Sequence, residues 1–471
     1  MDLPQKAATQ TEDTITSCDV TDNTHSDHGG DEEQARGNWG SQVQYLLTVV
    51  GYCVGLSNVL RFPYICKTNG GGAFLIPYIS CLLLCGLPLF FLEVVIGQFH
   101  GKGAAHVWGV CPLIKGLGIG MLIISGGVIV YYSTTCAWAV YYMIYSCRTV
   151  LPWTSCDNTW NTENCVENMK LMTASSSAVP NETQVNKSLA VTTNLTDSVG
   201  ENETLFHTAA EEFWQYKVLS ISSGLEHLGG IKWELALCLL VTWILIFSSL
   251  VKGIKSIGKV VYVTATMPYV FLFILLVRGL TLPGGPQGVL FFITPDFNKL
   301  TDVQVWVTAC VQVFFSLGPG YGGLISMASY NTFHSNCLRN AIICTLACGG
   351  SSLFAGLVVF AFLGSMAHEA NVHITDVLSS GPGLGFIIYP EALAQLPLPQ
   401  IWSVLFFVML IFLVQDSLFS TVETVISAIL DEYSFLLKWR IPVTAAYCLV
   451  SFLLGLIFTT EELIVSVPML H

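Results

Sequence analysis

From about residue 42 onward the chain is a succession of long apolar runs separated by short polar stretches, the pattern of a protein whose solvent is lipid. A spanning helix needs about 20 mostly apolar residues, and nine segments reach that length: 42–66, 73–98, 116–147, 233–251, 259–280, 303–329, 340–366, 400–430 and 441–459. We number them spans 1 to 9. Several are long enough to tilt or to project beyond the bilayer. Spans 1 and 6 stand apart. Span 1 carries Gly51, Gly55, Ser57, Asn58 and Arg61 inside or beside its apolar run, and span 6 contains Ser316-Leu317-Gly318-Pro319-Gly320. Polar groups at membrane depth are costly, proline removes an amide donor and glycine permits non-helical torsions. Irregular backbone survives there only where it is buried in protein or lines a cavity. Both spans are therefore predicted to be broken helices. Taken singly, Gly51 and Gly55 also fit a small-residue packing face, and Gly318-Pro319-Gly320 also fits an ordinary kink.

Lysines and arginines in the short connections set the expected orientation. Lys102 and Lys115 lie between spans 2 and 3, Lys252, Lys255 and Lys259 between spans 4 and 5, Arg339 between spans 6 and 7, and Lys438 and Arg440 between spans 8 and 9. Those connections belong on the cytosolic side together with the N-terminus, and nine crossings leave the C-terminus outside. The long connection at 149–230 then faces outward. It holds four N-x-S/T sequons, at Asn181, Asn186, Asn194 and Asn202, as a luminal segment can, and a large glycosylated extracellular loop is expected. It also holds Cys156 and Cys165, the two of 16 cysteines that an oxidising compartment would reach, so a disulfide between them is expected. Most other cysteines fall within spans and read as small core residues.

Hydrophobic residues make up 53% of the chain and charged residues 11%, with a mean hydropathy of +0.62, too apolar for an ordinary soluble globule. The formal charge of −13 says little about partners, because residues 1–35 hold nine carboxylates against the single Lys6. No nucleic-acid partner is expected. The polar segment 1–38 cannot bury enough surface to offset the entropy of ordering, and is expected to be a disordered acidic cytosolic tail. Residues 39–459 then form the transmembrane body and 460–471 a short divergent end. No charged n-region followed by a short apolar core opens the chain, so span 1 is expected to direct insertion. No nucleophile with its base, His/Cys metal cluster or phosphate loop is discernible, and Gly70-Gly71-Gly72 lacks the lysine of a nucleotide loop, so an enzyme is not expected.

The run from Trp39 through Gly51-Tyr52-Cys53-Val54-Gly55-Leu56-Ser57-Asn58-Val59-Leu60-Arg61-Phe62-Pro63-Tyr64 to Asn69-Gly70-Gly71-Gly72-Ala73-Phe74-Leu75-Ile76-Pro77-Tyr78 resembles the signature of the sodium- and chloride-dependent neurotransmitter symporters. Phe314-Phe315-Ser316-Leu317-Gly318-Pro319-Gly320, Ala328-Ser329-Tyr330-Asn331 and Asp416-Ser417 extend the resemblance, which covers about residues 36–440. It implies an all-α, inverted-repeat membrane fold in which spans 1 and 6 are broken, with about nine of the family's twelve helices present. Paired breaks then flank the transport site, because half-helix N-termini face an anion and freed carbonyls hold a cation, a rule itself drawn from transporters of this kind.

The resemblance also implies ion and substrate positions. A second sodium site would use the carbonyls of Gly51, Val54 and Leu413 with the side chains of Asp416 and Ser417. A first would use the Cys53 carbonyl, Asn58 and Ser316, completed by the substrate carboxylate. Chloride would lie among Tyr78, Gln312, Ser316 and Ser352, and substrate near Cys53, Gly55, Tyr132, Phe315, Ser316, Leu317, Gly320 and Tyr321. Monoamine carriers have an aspartate where this chain has Gly55, so the implied cargo is a small neutral amino acid moved across the plasma membrane with sodium and chloride. Gly381-Pro382-Gly383, Tyr389-Pro390-Glu391-Ala392-Leu393 and Thr421-Val422-Glu423-Thr424 most resemble glycine transporters; proline, another neutral amino acid and GABA remain alternatives.

Two positions depart from the pattern. Cys348 stands where span 7 normally supplies an asparagine oxygen to the first sodium site, and a neutral thiol is a poor ligand for a hard cation. The chain also ends at His471, soon after span 9, so the helix that would carry an acid opposite Arg61 at the outer gate is not in the sequence, while the inner pair Arg36 and Asp431 is kept. These departures keep open a second reading, a non-transporting isoform or fragment that associates, as an oligomer, with full-length transporters.

Overall fold

The computed structural model describes residues 37–167, 207–220, 230–374 and 384–460, and from Asn38 onward these form one body. The four sequons, Arg36, almost all of the predicted tail and residues 461–471 lie outside the described residues.

Among the described residues seven helices are long and apolar enough to cross a membrane: Gly72–His100, Pro112–Ser146, Trp233–Leu250, Ile254–Thr281, Cys337–Ala370, Pro399–Glu432 and Phe435–Thr459. They are spans 2, 3, 4, 5, 7, 8 and 9. Spans 1 and 6 are interrupted, as their composition predicts. Span 1 runs as Gln42–Cys53, opens at 54–56, and resumes through a π-turn at Ser57–Arg61 and a helix at Phe62–Thr68, its halves bent by 52°. Span 6 runs as Val303–Leu317, crosses 318–322 as non-helical chain, and resumes only as Gly323–Ala328.

The two breaks have different local causes. In span 6, Gly318, Gly320 and Gly322 take φ of +66°, +88° and +79°, the left-handed region that a Cβ disfavours. In span 1, Val54 turns extended at φ −96° and ψ 92°. The side chain of Asn58 then accepts the Gly55 amide at 3.3 Å, replacing the helical partner that the amide has lost.

Spans 7 and 8 are mostly enclosed by protein, whereas spans 3 and 9 turn most of their apolar surface outward, as lipid-facing helices do. Two boundaries differ from expectation. Span 5 begins at Ile254, which puts Lys255 and Lys259 on its first turns. Arg440, counted above as a charge in a connection, folds inward instead, and its Nη2 donates to both oxygens of buried Glu423 at 2.5 and 2.6 Å. The segment after span 3 is closed by the disulfide between Cys156 and Cys165. Cys165–Val166 pairs in parallel with His207–Thr208, and the following helix and π-turn dock through Trp214, which stacks on Phe386 with centroids 5.0 Å apart. Trp153 adds an indole hydrogen bond to the Pro390 carbonyl at 3.2 Å.

Candidate functional site

The two breaks meet. The hydroxyl of Tyr52 donates to the Gly318 carbonyl at 3.1 Å, and the Cys53 thiol to the Leu317 carbonyl at 3.5 Å. Neighbouring spans hold the open stretch of span 6 in place. Glu93 of span 2 accepts the Gly320 amide at 2.6 Å, and Ser125 of span 3 donates to the Tyr321 carbonyl at 2.6 Å. None of Tyr52, Glu93 or Ser125 was singled out from the sequence. Glu93 had a signal, being the one acid within the apolar run of span 2, and an acid at that depth needs a partner.

Beneath the break in span 1 lies a buried carboxylate. Asp416 is 2% exposed, and its Oδ1 has no hydrogen-bond partner among the described residues. It crowds Gly51, where an added Cβ would stand 2.7 Å from Asp416 Oδ2. The hydroxyl of Ser417 lies 3.2 Å from the Tyr52 carbonyl and 3.5 Å from that of Leu413. Gly51, Leu413, Asp416 and Ser417 thus come together, with Val54 at the edge of the break, its amide on the Val50 carbonyl at 2.8 Å. Leaving a carboxylate oxygen without a partner in a desolvated place is costly, so this cluster of oxygens has the chemistry of a cation site.

One turn away, a Cβ on Gly55 would meet Tyr132 Oη at 3.1 Å and Ser417 Oγ at 3.2 Å. Tyr132 Oη also accepts the Leu56 amide, at 3.5 Å. The space against Gly55 is therefore bounded by two hydroxyls, which would have to give by a few tenths of an ångström to admit a Cβ there. The other residues expected near the substrate divide. Gly320 and Tyr321 lie in the open stretch of span 6, but the Leu317 side chain is fully buried against Gly86 of span 2, so only its backbone reaches the break. Phe315 is exposed, and the Arg61 guanidinium stacks 4.4 Å over its ring.

A third cluster is rich in neutral donors. Tyr78 donates to Ser352 Oγ at 3.0 Å, and Asn58 Nδ2 reaches Ser316 Oγ at 2.8 Å and Ser352 Oγ at 3.0 Å. Gln312 lies against the same break, donating to the Ser57 carbonyl at 3.0 Å. Hydroxyl and amide donors without a carboxylate among them suit a halide. Cys348 enters this joint from span 7, its Sγ 2.9 Å from Ser316 Oγ. Of the inner pair, Asp431 accepts the Gly103 amide at 2.7 Å, and Arg36 lies outside the described residues.

Comparison with known proteins supplies a family. A family model described as the sodium:neurotransmitter symporter family matches residues 36–471. The sodium- and chloride-dependent glycine transporter 2 of Xenopus laevis is 46% identical over 432 residues, which cover 90% of this chain and 55% of that protein. The sodium- and chloride-dependent glycine transporter 1 of Xenopus laevis is 45% identical over 434 residues, covering 92% of this chain and 67% of that protein. The chain thus spans between about half and two thirds of the length of these relatives.

Proposed function

The chain belongs to the sodium:neurotransmitter symporter family, and from that premise we propose that it is a sodium- and chloride-coupled symporter of a small neutral amino acid, glycine first, in the plasma membrane. The N-terminus faces the cytosol in this reading. The observation that carries it is the buried carboxylate of Asp416, set against the break in span 1 with its Oδ1 left without a hydrogen-bond partner among the described residues. Sodium, as cargo, meets Asp416, Ser417 and the carbonyls of Gly51, Val54 and Leu413. Chloride is held by Tyr78, Gln312, Ser316 and Ser352. Substrate lies against Gly55 and Tyr132, its carboxylate facing the backbone of the two breaks. Glycine is favoured because the hydroxyls of Tyr132 and Ser417 approach Gly55 closely, and because the two relatives are named as glycine transporters.

Conformational coupling follows from which spans bear the site. Spans 1, 2, 6 and 7 carry the breaks and their donors, while Asp416 and Ser417 sit on span 8 and Tyr132 on span 3. A cation shared between spans 1 and 8 stabilises the arrangement in which the two groups of helices are together. Its release lets them rock apart, so ion occupancy biases the equilibrium between access states.

The test is uptake of labelled glycine, with proline and GABA as comparators, in sodium chloride and in choline medium, alongside surface biotinylation. Sodium-dependent glycine uptake is expected, and Asp416→Ala should remove its sodium dependence. Uptake by the unaltered chain that persists in choline would refute the coupling. No uptake despite surface expression would favour the non-transporting reading.

A further inference from the structure

Carbonyls from both breaks converge on a single buried atom, the Sγ of Cys348. It lies 3.6 Å from the Cys53 carbonyl and 3.7 Å from the Ser316 carbonyl, 2.9 Å from Ser316 Oγ, and is fully shielded from solvent. Asn58 offers no oxygen to this point. A backbone amide can only donate, so the Asn58 atom that meets the Gly55 amide at 3.3 Å is Oδ1, which also accepts from the Ser57 hydroxyl at 3.1 Å. The amide's NH2 end is therefore the one turned inward, 2.8 Å from Ser316 Oγ and 3.4 Å from Cys348 Sγ.

A hard cation needs several oxygens with lone pairs aimed at one empty point. Here that point holds a thiol, itself a hydrogen-bond donor, and the Asn58 amide facing it is a donor too. The one thiol hydrogen and the Asn58 NH2 group occupy the place where a cation's charge would have to stand. At Asp416 the situation is reversed, since every named group is an oxygen and one carboxylate oxygen has no partner among the described residues.

We propose that the Cys348 thiol and the inward-turned Asn58 amide plug the first cation site of this chain, so that one sodium ion, at the Asp416 site, accompanies each substrate molecule. This rests on the symporter reading above. One sodium ion, one chloride ion and a zwitterionic amino acid carry no net charge, so uptake is electrically silent. The span 7 residue therefore sets the ion count of the carrier, and with it the gradient against which substrate can be concentrated.

The deciding experiment measures radioactive sodium and tritiated glycine entering proteoliposomes of the purified full chain, with current recorded in parallel. One sodium ion per glycine and no current are expected. Cys348→Asn, and the nearly isosteric Cys348→Ser, each restore an oxygen and should raise the ratio to two with an inward current. Two ions per glycine in the unaltered chain would overturn the proposal, as would folded variants whose ratio does not change. If the two variants fail to fold, the ratio in the unaltered chain decides alone. If the chain moves no glycine, it is the symporter reading that fails, and equilibrium binding of radioactive sodium still counts the sites. A single site that Asp416→Asn removes supports the proposal, and two sites reject it.

Discussion

At Gly55 the absence of a side chain is what leaves space, because the hydroxyls of Tyr132 and Ser417 close on it from spans 3 and 8. Gly55→Ala places a methyl 3.1 Å from one and 3.2 Å from the other. Such crowding costs about 1–3 kcal/mol in a packed site. We therefore expect glycine affinity to fall by about 10-fold or more, proline uptake to fall further, and the sodium requirement to rise as Ser417 is displaced. Dose–response uptake on cells with matched surface expression measures all three, and unchanged constants would show that substrate does not sit against Gly55. The glycine itself was legible in the chain, as was Asp416. What could not be read there was which atoms stand around them, because Tyr132 and Ser417 are brought in from distant segments.

Among elements, span 9 shows how a charge can be misread when only its position in a connection is known. Arg440 opens that helix, yet its guanidinium turns onto Glu423 of span 8, whose Oε1 also accepts from Tyr330 at 3.1 Å. Breaking a buried ion pair from one side is strongly destabilising, about 3–5 kcal/mol, because the remaining charge is left desolvated. Arg440→Met should accordingly lower the melting temperature of the purified protein, and adding Glu423→Leu should recover much of the loss. Equal melting of the single variant and the unaltered chain would show that the pair contributes nothing. The broken elements, by contrast, were legible locally, since glycine and proline act on their own backbone. Of their fasteners, Glu93 stood out only as a lone acid in an apolar run and Tyr52 and Ser125 not at all, since each acts across a gap between spans.

At the scale of the whole molecule, the segment after span 3 caps the bundle through Trp153 and Trp214 and carries a titratable tie of its own. His207 lies 3.2 Å from Glu211, and that carboxylate's hydrogen bond holds the imidazole above its ordinary pKa against the opposing effect of burial. A raised pKa in the folded state means that the pair's stabilisation is complete below the ordinary histidine value of about 6.5 and is lost as pH climbs through the raised value. Hydrogen exchange across residues 209–219, corrected for intrinsic rates, should show greater protection at pH near 6 than near 8, and His207→Asn should flatten that difference. A pH-independent profile in the unaltered chain would count against the tie. The disulfide beside it was expected from compartment alone, and the structure pairs the same two cysteines. The sequence by itself determined the solvent, the rough limits of the long apolar helices and the two breaks, because these follow from local hydropathy and backbone torsion. Only the tertiary structure decided that Asp416 Oδ1 is left without a hydrogen-bond partner among the described residues, that Asn58 turns its donor inward and that a thiol sits where the carbonyls of two spans converge. Those are relations in space between segments hundreds of residues apart, and hydrogen-bond direction and desolvation exist only once the segments have met.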